Sequence, residues 1–267
     1  MSVTKIIEVD GTTFTTEIFE RVEDLLATKD ERTEKFSDGA KHNSSWVGAS
    51  YRDAFDMLEF GWNKRIDDVI TEVNALSKKH DKIARMKVKN DVVGFAPHIP
   101  NLLAGVPETM INGRLEIKKS KVITIVYDSG VSSGITTYQV LNYSKKVMAY
   151  IMQLEKQGFR VRLYVLNNYS NRSKSFSMLL KLKSEYQPLD IKRLVFPMCH
   201  TAYQRAVGFD WYEKFPQSEE FSGYGRPMYI EYNREKIEKY ITKLVGKNAN
   251  FLRYQDDIEK LIKKGGK

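Results

Sequence analysis

The order of apolar runs predicts an α/β protein, a three-layer αβα arrangement around a mostly parallel sheet with a helical extension at its N-terminal end. Three observations carry this. KVITIVY (121–127) is short, nearly continuous and rich in β-branched residues, as a strand buried on both faces requires. A helical period follows over about 138–157, with Val140, Leu141, Val147, Met148, Ile151 and Leu154 on one side. RVRLYVL (160–166) is a second strand-like run. Strand, helix and strand in tight succession make a βαβ unit, expected to be parallel and right-handed.

The elements before this unit read differently. Lys5–Glu8 and Thr12–Thr15 are short strands around the turn Asp10-Gly11. Residues 28–50 are polar and turn-rich. Ser50, with Asp53 three residues on, starts a long amphipathic helix whose apolar positions run from Ala54 through Met57, Trp62, Ile66 and Val73 to Leu76. Gly94, Pro97, Pro100, Gly105 and Pro107 then break regular structure across 90–121. The chain therefore divides near residue 115, into an N-terminal region (1–115) and an α/β core (116–267).

Behind the βαβ unit the alternation continues. Gly158 caps the first core helix. SFSMLLKLK (175–183) alternates like an edge strand. Helices are expected over about 189–214, broken near Pro197. PMYIEY (227–232) reads as a core strand, and Asn233 as the cap of a helix over 234–245 that Gly246 ends. NFLRY (250–254) reads as a last strand and 256–264 as a last helix.

Composition narrows the function classes. The chain has 267 residues, enough for a substantial core. No apolar run reaches the ~18 residues of a membrane span, and the acidic, alternating N-terminus does not read as a secretion signal. The single cysteine, Cys199, excludes an internal disulfide and fits a reducing compartment such as the cytoplasm. Net charge is +9 and uneven, −3 over residues 1–100 and +12 over 101–267. A basic half suits an acidic partner, and equally a solubilising surface. The sequence holds no GxxxxGK[ST] loop, no GxGxxG after a strand and no G-x-S-x-G elbow.

In open parallel sheets ligands bind at the carboxyl ends of the strands. That rule selects Asp128, Ser129, Ser132 and Ser133 after the first core strand, Asn167 and Asn168 after the second, and Asn233 after the later one. Such oxygens suit a hard cation such as Mg2+, or they turn the chain and cap the next helix. The stretch from Ile123 to Leu166 resembles a von Willebrand factor A-type domain, in which a strand ends in Asp-x-Ser-x-Ser and is followed by a long helix and a second strand. The resemblance implies a von Willebrand A-like, Rossmann-like core with a divalent-cation site at Asp128, Ser132, Thr201 and Asn233. Gly130 stands where the first serine should be, and Asn233 where the family has an acid, so the site is degenerate and weaker for it. A second likeness covers more of the chain. WVGASYRDAFDMLEFGW (46–62) and VGFAPHIPNLLAGVPETM (93–110), followed by the A-like core, are similar to a family of bacteriophage-encoded proteins. That implies a phage gene product in a bacterial cytoplasm or a virion.

Three functions follow as expectations. The first is a non-enzymatic binding or assembly protein whose A-like module engages a protein partner. The second is a nucleic-acid binder using Arg160, Arg162, Arg172, Lys174, Lys181 and Lys183, which interleave with Tyr164, Tyr169 and Phe176; strand alternation alone would also produce that pattern. The third is a Mg2+-dependent hydrolase at Asp128, which needs a base the sequence does not visibly supply. Cys199 reads as a small core residue, and His200 as a base, a ligand or a structural histidine.

Overall fold

The structure is a computed structural model and describes residues 2–9, 11–29, 44–78, 88–113, 121–170, 174–215, 230–246, 249–254 and 258. Its strands are β1 (Ser2–Val9), β2 (Thr12–Phe19), β3 (Val88–Asp91), β4 (Ala96–Pro97), β5 (Met110–Gly113), β6 (Val122–Asp128), β7 (Arg160–Ser170), β8 (Lys174–Lys183) and β9 (Ala249–Arg253). The main sheet runs β1-β2-β8-β7-β6-β9. The pairs β2/β8, β6/β7 and β6/β9 are parallel, while β1/β2 and β7/β8 are antiparallel. The sheet is therefore mostly parallel, as the apolar runs predict.

Helices cover both faces. On one lie α1 (Val22–Leu26), α2 (Ser44–Val47), α3 (Tyr51–Phe60), α4 (Ile66–Lys78), α6 (Thr137–Lys156), α7 (Ile191–Cys199) and α8 (Phe209–Glu213). On the other lies α9 (Ile230–Val245), whose Ile237, Tyr240, Ile241 and Val245 pack on Phe14, Val126, Tyr164, Leu166 and Leu179. β6 serves both layers: Ile125 and Tyr127 join the first core and Val126 the second. That is why its sequence is continuously apolar rather than alternating. Thr136 caps α6 through a capping box with Gln139. Gly158 follows with φ +87°, a value that favours glycine.

The N-terminal region completes the core. β2 hydrogen-bonds along β8 from Thr13–Lys174 to Phe19–Leu180. Tyr51 donates to Asp210 at 2.6 Å, and Lys145 of α6 pairs with Glu72 of α4 at 2.6 Å. The first two strands, β1 and β2, thus extend the sheet formed by the strands that follow residue 115.

Several elements differ from expectation, each for a visible reason. β8 is an interior strand, not an edge, because β2 pairs on its outer side. The helix expected from Ser50 to Leu76 is two helices, since Gly61 adopts φ +87° and a 3-10 turn (Asn63–Arg65) intervenes. The stretch at 88–113 folds into a small antiparallel sheet, β3-β5-β4, with α5 (Ile99–Leu103). Pro197 is accommodated inside α7, which ends at His200 instead. The strand expected at 227–232 is not formed over 230–232, where α9 has already begun. Apart from Ile258, the last helix lies outside the described residues, as does Arg172.

Candidate functional site

Four places in the structure bring functional side chains together. The first is the carboxyl edge of β6. Asp128 is buried, and its Oδ1 accepts the Gly130 N–H at 2.9 Å, closing a tight turn. The Ser129 hydroxyl contacts the Asn167 side-chain oxygen and donates to the Leu166 carbonyl at 3.1 Å. Beyond it the loop 130–135 is clamped from the side. Gln204 Oε1 accepts the Val131 N–H at 2.9 Å. Arg205, 3% exposed, donates to the carbonyls of Ser132 (2.9 Å), Ser133 (3.3 Å), Ile135 (2.7 Å) and Trp46 (2.5 Å). Its guanidinium also lies 4.8 Å from the Trp46 ring centroid. Burial pulls the Arg205 guanidinium down to about 10, so it stays charged at neutral pH. Gln204 and Arg205 sit on a π-helical turn (Tyr203–Gly208), a geometry that recurs at functional positions.

Of the four residues expected to hold a cation, Ser132 and Thr201 are engaged in other contacts. Ser132 is exposed and presents its carbonyl to Arg205. The buried Thr201 hydroxyl donates to the Val47 carbonyl at 2.9 Å and accepts from Thr137 at 2.7 Å. Asn233 ends no strand: it lies within α9, and its side chain is outside the description. Among the described residues no three His, Cys, Asp or Glu side chains form a metal-binding group. A guanidinium fixed on the loop carbonyls adds repulsion to any divalent ion there. Thr201, whose hydroxyl is already held, and Ser132, whose carbonyl meets the guanidinium, do not fit the cation site that the A-like signature implies.

The second place is the set of cations on β7 and β8. Arg162 grips Glu185 with both ends of its guanidinium, one at 2.9 Å, and the carboxyl is held down to about 2. Lys181 pairs with Glu20 at 2.8 Å, and the buried Lys183 with Glu155 at 2.5 Å. These three are committed within the molecule and are poorly placed to meet phosphates. Arg160 is exposed and stands 5.7 Å over the Tyr186 ring; Lys174 is half-buried.

The third place is a cleft built largely by the segment 46–62. It has a volume of about 500 Å³ and is lined by Gly48, Asp53, Asp56, Met57, Phe60, Trp62, Lys64 and His200, among others. Gly48 has φ +91°, and a Cβ there would come within 2.8 Å of Thr137 Oγ1 and 3.1 Å of both His200 Cε1 and Thr201 Oγ1. Gly48→Ala is therefore expected to lower stability by about 1–3 kcal/mol, from strained backbone and crowding together. A urea titration measures it; a change under about 0.5 kcal/mol, the usual surface value, would show that the corner yields freely.

The fourth place is the small sheet and α5. Val92, Val93, Phe95, Ile99, Leu102 and Leu103 all stand exposed there, Leu103 by 82%. Cys199, in contrast, is fully buried with its thiol pushed up to about 12, an inert core residue.

Sequence reasoning missed the clamp and the cleft. The unusual density of Gly, Trp and acidic residues in 46–62 marks the cleft, but no local pattern singles out Arg205. A family described as a domain of unknown function (DUF7192) matches residues 12–260. No curated protein and no solved structure matches the chain.

Proposed function

We propose, from the premise that the chain belongs to the DUF7192 family, that it is a non-enzymatic binding or assembly protein. In this reading an A-like core of a bacteriophage gene product engages a protein partner in the bacterial cytoplasm or the virion. The observation that carries the reading is the arm at 88–113. Six large apolar side chains stand exposed on this one small element between Val92 and Leu103, and apolar side chains exposed in such number mark contact sites. The clamped loop at the β6 edge supports the same reading, because it fixes a shape without leaving a base. The lone pair on Nδ1 of His200 is taken up by the Ala202 N–H, and Asp128 already serves its own turn. A Mg2+-dependent hydrolase would need proton transfer that neither supplies.

The test is a photo-crosslinking amino acid placed at Phe95 or Leu103 in the producing cell. A discrete adduct of higher mass is expected at both positions and none at Tyr186, an equally exposed residue outside the arm. Adducts at neither arm position would end the reading. The cation question is answered by thermal melting with Mg2+, Mn2+ and Ca2+. No rise in melting temperature is expected up to about 10 mM, since a ligand of the folded state must raise it. A rise that Asp128→Ala abolishes would restore the divalent site.

A further inference from the structure

The cleft at 46–62 has donors at its floor and acids on its wall. His200 is 6% exposed, and its Nδ1 accepts the Ala202 N–H at 3.0 Å. In a neutral ring that bond places the hydrogen on Nε2. Among the described residues Nε2 has no partner, and neither does the indole N–H of Trp62, whose ring meets His200 edge-on at 4.6 Å. Asp53 and Asp56 lie three positions apart on α3, and neither forms an ion pair among the described residues. Met57 and the exposed Phe60 supply apolar wall, with Lys64 also lining the cleft.

We propose that this cleft binds a short peptide segment of a partner carrying a lysine or arginine. The cation lies against Asp53 and Asp56, and its aliphatic stem covers Met57 and Phe60, as long cationic side chains do. A main-chain carbonyl of the same segment accepts from His200 Nε2 and Trp62 Nε1, which gives two otherwise unpartnered donors an acceptor. Two carboxylates without ion-pair partners, on a chain of net charge +9, select against anions at this one position. The volume falls within the range of ligand sites. The inference rests on the binding-protein reading and adds to it a location and a chemistry.

The experiment is calorimetric titration of the full chain at low salt with two blocked peptides, Gly-Arg-Gly-Arg-Gly and Gly-Glu-Gly-Glu-Gly. Saturable one-site binding of the arginine peptide alone is expected. Asp53→Asn with Asp56→Asn should weaken it about tenfold or more, with the melting temperature lowered by no more than about 4 °C for the lost first-turn carboxylate. Trp62→Phe, which removes the indole N–H and keeps a ring, should weaken it severalfold. Arginine-peptide binding that the double variant leaves intact overturns the cleft as the site. Binding of the glutamate peptide instead overturns the assigned chemistry, while the arm crosslinks decide the binding reading separately. No saturable binding of either peptide overturns the inference outright.

Discussion

Arg205→Ala is expected to lower the melting temperature by about 10 °C. The guanidinium holds carbonyls from two separate segments, Trp46 on one side and Ser132, Ser133 and Ile135 on the other. Removing it takes the donor from the part-buried carbonyls of Trp46, Ser132 and Ile135 and opens a void beside Trp46. Part-buried acceptors left without this donor, together with the lost packing, cost about 3 kcal/mol, and in a chain of this size each kcal/mol shifts melting by about 2–4 °C. Arg205→Lys should recover less than half, because a single ammonium cannot span the same fan of acceptors. Circular dichroism melts measure both variants, and the near-ultraviolet signal of Trp46 should change with them. A loss below about 1 kcal/mol would mean that the loop is held by Gln204 and its own turn, not by the clamp.

Acid should destabilise the protein in a window that belongs to His200. Burial, with the charge of Arg205 nearby as a smaller cause, lowers its pKa to about 4. The ordinary value in the unfolded chain is about 6.5. The unfolded state therefore binds a proton first as pH falls, and stability drops between about 6.5 and 4. The loss reaches about 3 kcal/mol when the folded ring finally protonates. Glu185, held down by Arg162, adds its own loss only at lower pH, between its ordinary range and about 2. Urea titrations at pH 7.0, 6.0 and 5.0 should give a falling stability in the native chain and a nearly flat one in His200→Gln. Parallel slopes in the two proteins would show that another group titrates there.

The βαβ unit was legible because its signals are local: β-branched runs, a 3.6-residue period and a glycine after the helix. β9 and the β1–β2 hairpin were legible for the same reason. β8 was misread as an edge because the partner on its outer side, β2, comes from the far end of the chain, and alternation along SFSMLLKLK carries no trace of it. PMYIEY has the composition of a strand, yet Ile230 already opens α9, whose period is set by Ile237, Tyr240, Ile241 and Val245. Asn233 was placed at a strand end by that error alone. The candidate site was half legible. Position along the sheet picked out Asp128 and Ser129, which are there as polar, buried groups. The clamp was invisible, since one arginine among 43 basic residues carries no mark of burial. Thr201 was chosen by spacing, and spacing cannot show that Val47 and Thr137 already hold its hydroxyl.

The parallel pairing of β2 with β8 has a consequence for how the chain is made. Phe14 and Phe19 are fully buried, and Lys181 reaches back to Glu20 across 161 positions. On a ribosome adding about 5–20 residues per second, β2 waits about ten to thirty seconds for its neighbour to be synthesised. Through that interval both edges of the hairpin are open and Phe14 lacks the strand and helix that cover it, a state that invites wrong partners. Holding chaperones during synthesis should therefore raise the yield of correctly formed protein.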